Sequence, residues 1–481
     1  MTATLPDDHV AFDDDLDIGS ERVTDELRRM ATIDVSVLWF NLSIGILVIA
    51  AGALLATPTS EGGLGLRLGP ALLAIVVGTI GGSLLLAAVA GAAHQTALPS
   101  MAMLRRVIGR QGSYVASVLN IAQLVGWTAF EFWAMSEFAS RVSDRLFGSA
   151  MRGLWLVLVA AICLGLSLLG PLRVVRLFLE RVATWVLAAT CLYLTIYLVA
   201  KGGIGPVWGW NPGGSGFAVA VDLVIAMPVS WLSVIADYNR FARTRRQSFT
   251  GTFSGYGVGN AWLYALGVLL VLAGHVVDSS PAGIAAGVLG LSSGVVVGGF
   301  LLAGLVAGET PNAFADIYSA AVSATNVFAR LSVRAVSSVV CIVAVALAAV
   351  VHVGDYETFL FLLGSFFVPL FAVVLADHLT NHRTWNRDPA VRGSMIMCWA
   401  LGFVAYQWIL PTGPAWWTNW VLHHVAQAGR LAWLGASLPS FAFTFMIAAL
   451  ANTLGRPRTG RGASNTGTGT DTEAGVVSTS Q

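Results

Sequence analysis

Residues 37–52, VLWFNLSIGILVIAAG, read as a membrane helix that does not stay helical. The flanks are apolar, yet Asn41, Ser43 and Gly45 interrupt them near the midplane, where a continuous Leu/Val run would cost less. A break there frees backbone groups where lipid cannot satisfy them, so it is expected where a cavity, an ion or a solute does. Residues 222–241, DLVIAMPVSWLSVIADYNRF, have the same character. Pro228 removes a backbone donor in mid-span, and Ser230 and Trp231 follow it. Small-residue packing could explain the first stretch and a functionless kink the second. Two interrupted helices together weigh against both.

Around these stretches the chain is apolar throughout. Hydrophobic residues make up 56% of 481, charged residues 11%, and mean hydropathy is +0.74. A soluble domain carries roughly a quarter charged residues, because water covers its surface. An ordinary soluble enzyme is therefore excluded. A hydrocarbon core of ~30 Å calls for about 20 apolar residues per helix. Such segments fall at 33–57, 69–93, 113–137, 153–171, 178–200, 217–239, 253–276, 289–310, 334–353, 357–379, 394–411 and 432–454. The expected fold class is all-α integral membrane, with twelve transmembrane helices. An acid-rich head, 1–32, shows no signal peptide, and it and the tail, 456–481, are expected to be disordered cytoplasmic segments flanking a helical domain at 33–455.

Charge gives the topology. With both termini cytoplasmic, 21 of the 27 Lys and Arg fall in cytoplasmic segments; only Arg67, Arg141, Arg145, Arg152, Lys201 and Arg430 lie opposite. That is the positive-inside bias of a multi-pass protein of the cytoplasmic membrane. A net charge of +1 and the absence of a basic stripe give no hint of a nucleic-acid partner. Cys163, Cys191, Cys341 and Cys398 sit in apolar runs without paired spacing, which suggests neither disulfides nor zinc.

Adding 184 to the starts of the first five segments gives 217, 253, 297, 337 and 362, close to the starts of the sixth to tenth. Five is odd, so the second block would cross the membrane in the opposite sense. Repeats at 33–200 and 217–380, with two extra helices at 394–454, make a five-plus-five inverted repeat.

Ionisable groups inside spans are costly and mark pathways or sites. Asn120, Gln123, Trp127 and Glu131 share one face of the third segment. Trp127 offers a stacking surface for a flat heterocycle, and Gln123 and Glu131 could bond its edge. Structural hydrogen bonding is the alternative for Asn120 and Gln123. Glu131 has no Arg within the spans to pair with, which makes it a proton-coupling candidate. In GETPNAFADIYSAAVS, at the end of the eighth segment, Glu309, Asn312 and Asp316 share a face beside Thr310 and Pro311. This oxygen-rich set suits Na+ or a proton and not a transition metal, unless the stretch lies in the interface, where acids are harmless. Asp34, Glu137, Asp222 and Asp377 sit nearer segment ends and read as interfacial. No Gly-Lys-Ser/Thr loop offers direct use of ATP, and no catalytic set appears.

These motifs resemble the purine–cytosine permease branch of the nucleobase:cation symporter family. The likeness runs through WFNLSIGILVIAAG, LPSMAMLRRVIGRQG at 98–112, VGWTAFE, SWLSVIADYNRF, NAFADIYSAAVS and YETFLFLLGSFFVPLFAVVLAD, over roughly 20–455. The resemblance implies a LeuT-type fold, with the solute between helices one, three, six and eight. It implies that Trp127 stacks on the base and that Asp316 stands where the family has a base-binding Asn. The sixth-helix aromatic position falls on Pro228, so Ser230 or Trp231 takes its place; Ser43 joins this substrate group. Sodium-dependent members use carbonyls near Leu42, Gly45 and Ala307 plus two adjacent hydroxyls. Those last positions read Thr310-Pro311 here, and one hydroxyl is missing. Glu309 and Asn312 complete the expected cation group. No cofactor is expected beyond a coupling Na+ or H+.

The expected function is import of a small, neutral nucleobase or related ring (cytosine, a purine, allantoin or a pyrimidine precursor) with H+ or Na+, by alternating access and as a monomer. An amino-acid or amine carrier on the same fold is the alternative within transport, against which the tryptophan-lined stripe argues. A sensor or channel without coupled transport is the alternative outside it.

Overall fold

In the computed structural model, residues 37–52 belong to two helices, α1 (Thr32–Leu42) and α2 (Ile46–Ala56), inclined at 59° across a short break. Ser43 turns its hydroxyl back onto the Phe40 carbonyl at 2.7 Å, and Gly45 is fully extended. The polar residues that make the stretch a poor continuous helix thus end one helix and start another. The structure describes residues 21–169, 184–202, 204–209, 213–214, 216–291, 294–350, 356–381 and 389–454. The expected disordered tail, the head as far as residue 20, and Arg173, Arg176 and Arg181 lie outside these residues.

The chain continues as α3 (Leu68–Thr96), α4 (Ser100–Val107), α5 (Arg110–Phe147), α6 (Arg152–Leu169), α7 (Thr184–Gly202) and α8 (Phe217–Ser230). A 3-10 turn, Trp231–Ser233, leads to the short α9 (Ile235–Asn239). Then come α10 (Arg245–Leu272), α11 (Pro281–Leu291), α12 (Val295–Val327), α13 (Val333–Ala348), α14 (Tyr356–Thr380), α15 (Gly393–Ile409), α16 (Ala415–His424) and α17 (Ser437–Leu454). Among the described residues no strand forms, and one isolated bridge joins Met30 to Ala242. Among the described residues, six helices are long and apolar enough to cross a membrane, or seven if α1 and α2 form one broken span; others, such as α13 and α15, are shorter.

Three packing groups position the site. α10 packs on α1, α2 and α3, and α8 packs on α3. In a second group α12 packs on α5, with α6 and α13 against both. The third joins α14, α15 and α17. Glycines permit the close approaches: a Cβ on Gly255 would strike the backbone of Ser36, and one on Gly82 would strike the ring of Pro228.

Three expectations change. The sixth helix breaks at residues 231–234, just after Pro228, which stays inside α8. The eighth helix does not end near 310: α12 runs to Val327, and Glu309 and Asp316 lie in its middle, buried. Pro311 is tolerated there because the Ala307 carbonyl, which it cannot serve, accepts the Thr310 hydroxyl at 2.7 Å. Asp222 is not interfacial. It is 3% exposed, and its two oxygens accept the N–H groups of Ala436 (2.8 Å) and Ser437 (2.9 Å) at the start of α17. Asp377 pairs with Arg392 at 2.9 Å, and Asp34 caps α1 through the Ala31 N–H.

The end of the head is also ordered. Val23 N–H bonds the Ala97 carbonyl, Met30 N–H the Phe241 carbonyl, and Arg243 N–H the Met30 carbonyl. Arg28 reaches the carbonyl of His94 at 2.9 Å. Residues 21–31 therefore strap the ends of α3 and α9 together.

Candidate functional site

A narrow slot, with a cavity volume of about 30 Å³, lies between the first two packing groups. One wall is Leu42, Leu47 and Val48 from the first break, with Met227, Ser230, Trp231 and Val234 from the second. The facing wall is Leu124, Trp127 and Glu131 of α5 and Glu309, Asn312 and Asp316 of α12. Each wall carries one indole, and three carboxyl groups stand together on the second. The four polar residues of that wall are 5% exposed or less.

Glu309 is held by the broken helix. Its Oε2 accepts the Ile46 N–H at 2.5 Å, and both it and the Asn312 amide lie against the Gly45 α-carbon, where a Cβ would collide with them. The first amides of a helix lack partners of their own, and they carry the positive end of its dipole. A carboxylate from α12 meets that need at α2. Glu131 is different: its Oε2 is buried without a hydrogen-bond partner, as is the Asn312 Oδ1. Among the described residues, no Lys, Arg or His lines the slot, and no three acids, thiols or imidazoles cluster as a metal site would require.

The structure brings together Trp127, Glu131, Ser230, Trp231, Asp316, Leu42, Glu309 and Asn312 of the residues singled out by sequence, with Gly45 directly behind Glu309. It does not bring Gln123 into the slot. The Gln123 amide donates to Asn120 Oδ1 and to Ser233 Oγ, which ties α5 to the second break. Ser43 also stays outside, bonded to Phe40. Ala307 and Thr310 bond each other and do not line the slot.

Sequence reasoning missed the aromatic cover. Tyr356 and Phe359 of α14 meet Trp127 with ring centroids at 5.9 and 5.4 Å, and meet Phe130 at 5.7 and 5.3 Å. The Tyr356 hydroxyl donates to the Leu47 carbonyl at 3.3 Å. Beyond this cover lies a second, larger cavity, about 320 Å³, walled by Leu54, Phe130, Trp133, Tyr356, Glu357 and the 277–281 turn. The i, i+3 pair in YETF was the available signal, but it is indistinguishable by spacing from core packing.

The opposite end is closed by polar contacts. Asp237 accepts the Ser100 N–H at 2.8 Å, and Ala236 N–H bonds the Ser100 hydroxyl at 2.9 Å. Tyr238 donates to the Ala315 carbonyl, linking α9 to α12. Arg240, fully buried, donates to Tyr318 Oη, the Asp237 carbonyl and the Glu21 carbonyl of the strap.

Comparison with known proteins adds the following. The sequence profile of a family described as permease for cytosine/purines, uracil, thiamine and allantoin matches residues 22–393. YxlA of Bacillus subtilis (strain 168), assigned by name to the purine-cytosine permeases, is 24% identical over 257 residues, 52% of this chain. The match spans about half (53%) of that relative's length. Among solved structures, the fold is similar to Mhp1, a nucleobase-cation-symport-1 family transporter, closed with bromovinylhydantoin bound. The TM-score is 0.71 at 16% identity, over 90% of this chain and 93% of that one. The inward-facing form of Mhp1 gives 0.67 at 16% identity, covering 90% and 91%. A Na+-coupled sialic acid symporter gives 0.63 at 12% identity, covering 92% and 94%.

Proposed function

We propose, from the premise that this chain belongs to the family of permeases for cytosine/purines, uracil, thiamine and allantoin, that it is a secondary transporter importing a nucleobase or related nitrogen heterocycle by cation symport. The observation that carries the reading is the slot itself: an indole on each wall, from Trp127 and Trp231, with carboxyl groups beside them and a broken helix behind. Flat rings stack between indoles, and carboxyl groups read ring edges.

The twelve-segment reading completes the architecture: a multi-pass protein with both termini cytoplasmic, two inverted five-helix repeats at 33–200 and 217–380, and two extra helices at 394–454. On that topology the large second cavity is the outer vestibule, and the strap with α9 and α4 forms the inner seal. Alternating access then means that Tyr356 and Phe359 swing off the slot for loading, and the Ser100, Asp237 and Arg240 contacts part for release. The carrier works as a monomer and makes no direct use of ATP.

The coupling ion in this reading is a proton, carried by Glu309. The carboxyl group lies where freed groups of the first break would otherwise face an ion, and Thr310 and Ala307 are occupied with each other. Glu131 and Asp316 on the same face, and Tyr356 above, are the other titratable neighbours of the slot. A second reading, Na+ coupling, is favoured by the fold likeness to a Na+-coupled symporter. Uptake of labelled cytosine and hypoxanthine into proteoliposomes, under a pH gradient or a Na+ gradient, tests all of this. Accumulation under the pH gradient alone supports proton symport. Binding without accumulation under either gradient would mark a sensor and sink the transporter reading.

A further inference from the structure

The polar wall of the slot is rich in acceptors and poor in donors, and this bears on which rings it takes. Glu309 already receives an N–H from the chain. Glu131 does not: it is 3% exposed, lines the slot, and one of its oxygens has no partner. Asn312 is 4% exposed and its Oδ1 is likewise unpartnered. Asp316 adds a third carboxyl group four residues along the same helix, 3% exposed. Among the described residues no basic side chain lines the slot to balance these groups, and the acids do not converge as a metal site would.

A carboxylate can only accept hydrogen bonds. Buried without a counter-charge it is costly, and the cost falls when a ligand brings N–H donors or positive charge. An amidine edge, such as the ring nitrogen and amino group of an aminopyrimidine or aminopurine, becomes two parallel donors on taking one proton. Two parallel donors match the two oxygens of one carboxylate, as a guanidinium does. The indoles of Trp127 and Trp231 are also favourable faces for a cationic ring. An oxo edge, the imide of uracil or the lactam of hypoxanthine, offers one ring N–H beside a carbonyl and instead sets that carbonyl oxygen against the oxygens of Glu131 and Asp316.

We propose that the slot selects amino-substituted, protonatable nitrogen heterocycles, bound as their cations, over the matching oxo rings (imides and lactams), and that Glu131 and Asp316 read the amidine edge. This rests on the transport reading of the same slot and replaces the neutral solute expected from sequence. The step is a proton transfer only: the ring nitrogen takes one proton from water or from a slot carboxyl group, and no covalent bond to carbon changes.

Two base pairs matched in size test it, cytosine against uracil and adenine against hypoxanthine, titrated calorimetrically into the purified full-length protein. The amino member of at least one pair should bind at least about tenfold tighter than its partner, the scale on which a site with buried polar groups rejects a mismatched edge. Glu131→Gln, whose amide both donates and accepts, should erase that ratio while the oxo base binds no more weakly than before. Asp316→Asn is the second variant should the first fail to fold. Ratios below tenfold for both pairs in the unsubstituted protein, or no binding of any of the four bases, would overturn the inference. Parallel uptake separates the two readings: hypoxanthine or uracil accumulated in preference overturns the selectivity alone, whereas tight binding without accumulation overturns transport and leaves the selectivity standing.

Discussion

The Glu309 carboxylate and the Ile46 amide, 263 residues apart in sequence, meet at 2.5 Å in the middle of the molecule. One contact thereby ties the first packing group, which carries the broken helix, to the second, which carries the acids. Charge on Glu309 strengthens the tie, because the helix start is the positive end of its dipole. Loss of that charge weakens it.

That relationship gives the first prediction. Glu309→Gln should leave solute exchange across the membrane measurable but remove accumulation driven by a pH gradient, by about tenfold or more, since one transported proton has lost its carrier. Folded stability should fall by about 1 kcal/mol, the usual worth of a lost cap. Counterflow and gradient-driven uptake in the same proteoliposomes check both parts. Unchanged pH-driven accumulation would remove Glu309 from coupling.

Gly45 supplies the second. Its backbone is extended, a conformation open to any residue, so the demand for glycine comes from space alone. A Cβ there would strike Glu309 and stand 2.9 Å from the Asn312 amide nitrogen. Gly45→Ala should destabilise the protein by about 1–3 kcal/mol and lower uptake more than Gly290→Ala, where a Cβ meets open space. Thermal unfolding in detergent, read beside uptake, makes the comparison.

The aromatic cover gives the third. Tyr356→Phe keeps the ring contacts with Trp127 and Phe130 and loses only the hydroxyl's contacts with the Leu47 carbonyl and the Met227 sulfur, a cost of about 1 kcal/mol. Tyr356→Ala removes the cover. A cysteine placed in the slot by Val48→Cys should react with an outside thiol reagent at least about tenfold faster in the alanine variant, whereas phenylalanine leaves the rate near its original value. The four native cysteines are buried, so the background is low.

The strap gives the fourth. Deleting residues 1–30 removes the contacts to Ala97, His94 and Phe241 and leaves Arg240 without the Glu21 carbonyl. The inner seal should loosen, so a cysteine at Ser100 becomes more reactive from the side of the termini, and the slot cysteine less reactive from the other. Equal reactivity from both sides would show that the strap bears no load in the seal.

Much of this was legible in the sequence because membranes penalise ambiguity: long apolar runs and misplaced polar residues each have few explanations. Trp127, Glu131 and Asp316 announced themselves as costs needing a return. Other residues were misread for specific reasons. Gln123 looks the same in sequence whether it faces a solute or Ser233, because its donors serve either. The eighth segment reads as ending near residue 310, where the apolar run stops, yet the polar stretch that follows stays helical, with the Thr310 hydroxyl on the Ala307 carbonyl freed by Pro311. Asp222 seemed interfacial because its partners are backbone amides more than 200 residues away, which no side-chain motif reveals. Tyr356 and Phe359 were hidden in an apolar run whose periodicity is that of any core.

The Asp222 contact also bears on how such a chain can be divided. Both carboxylate oxygens of a helix in the first group are consumed by the opening amides of the last helix, and a Cβ on Gly435 would collide with the same side chain. A shortened chain, cut after residue 380, would keep a buried acid without the two amides it accepts from. The start of α17 is therefore a structural dependency of α8, and a chain without it would first need Asp222 replaced.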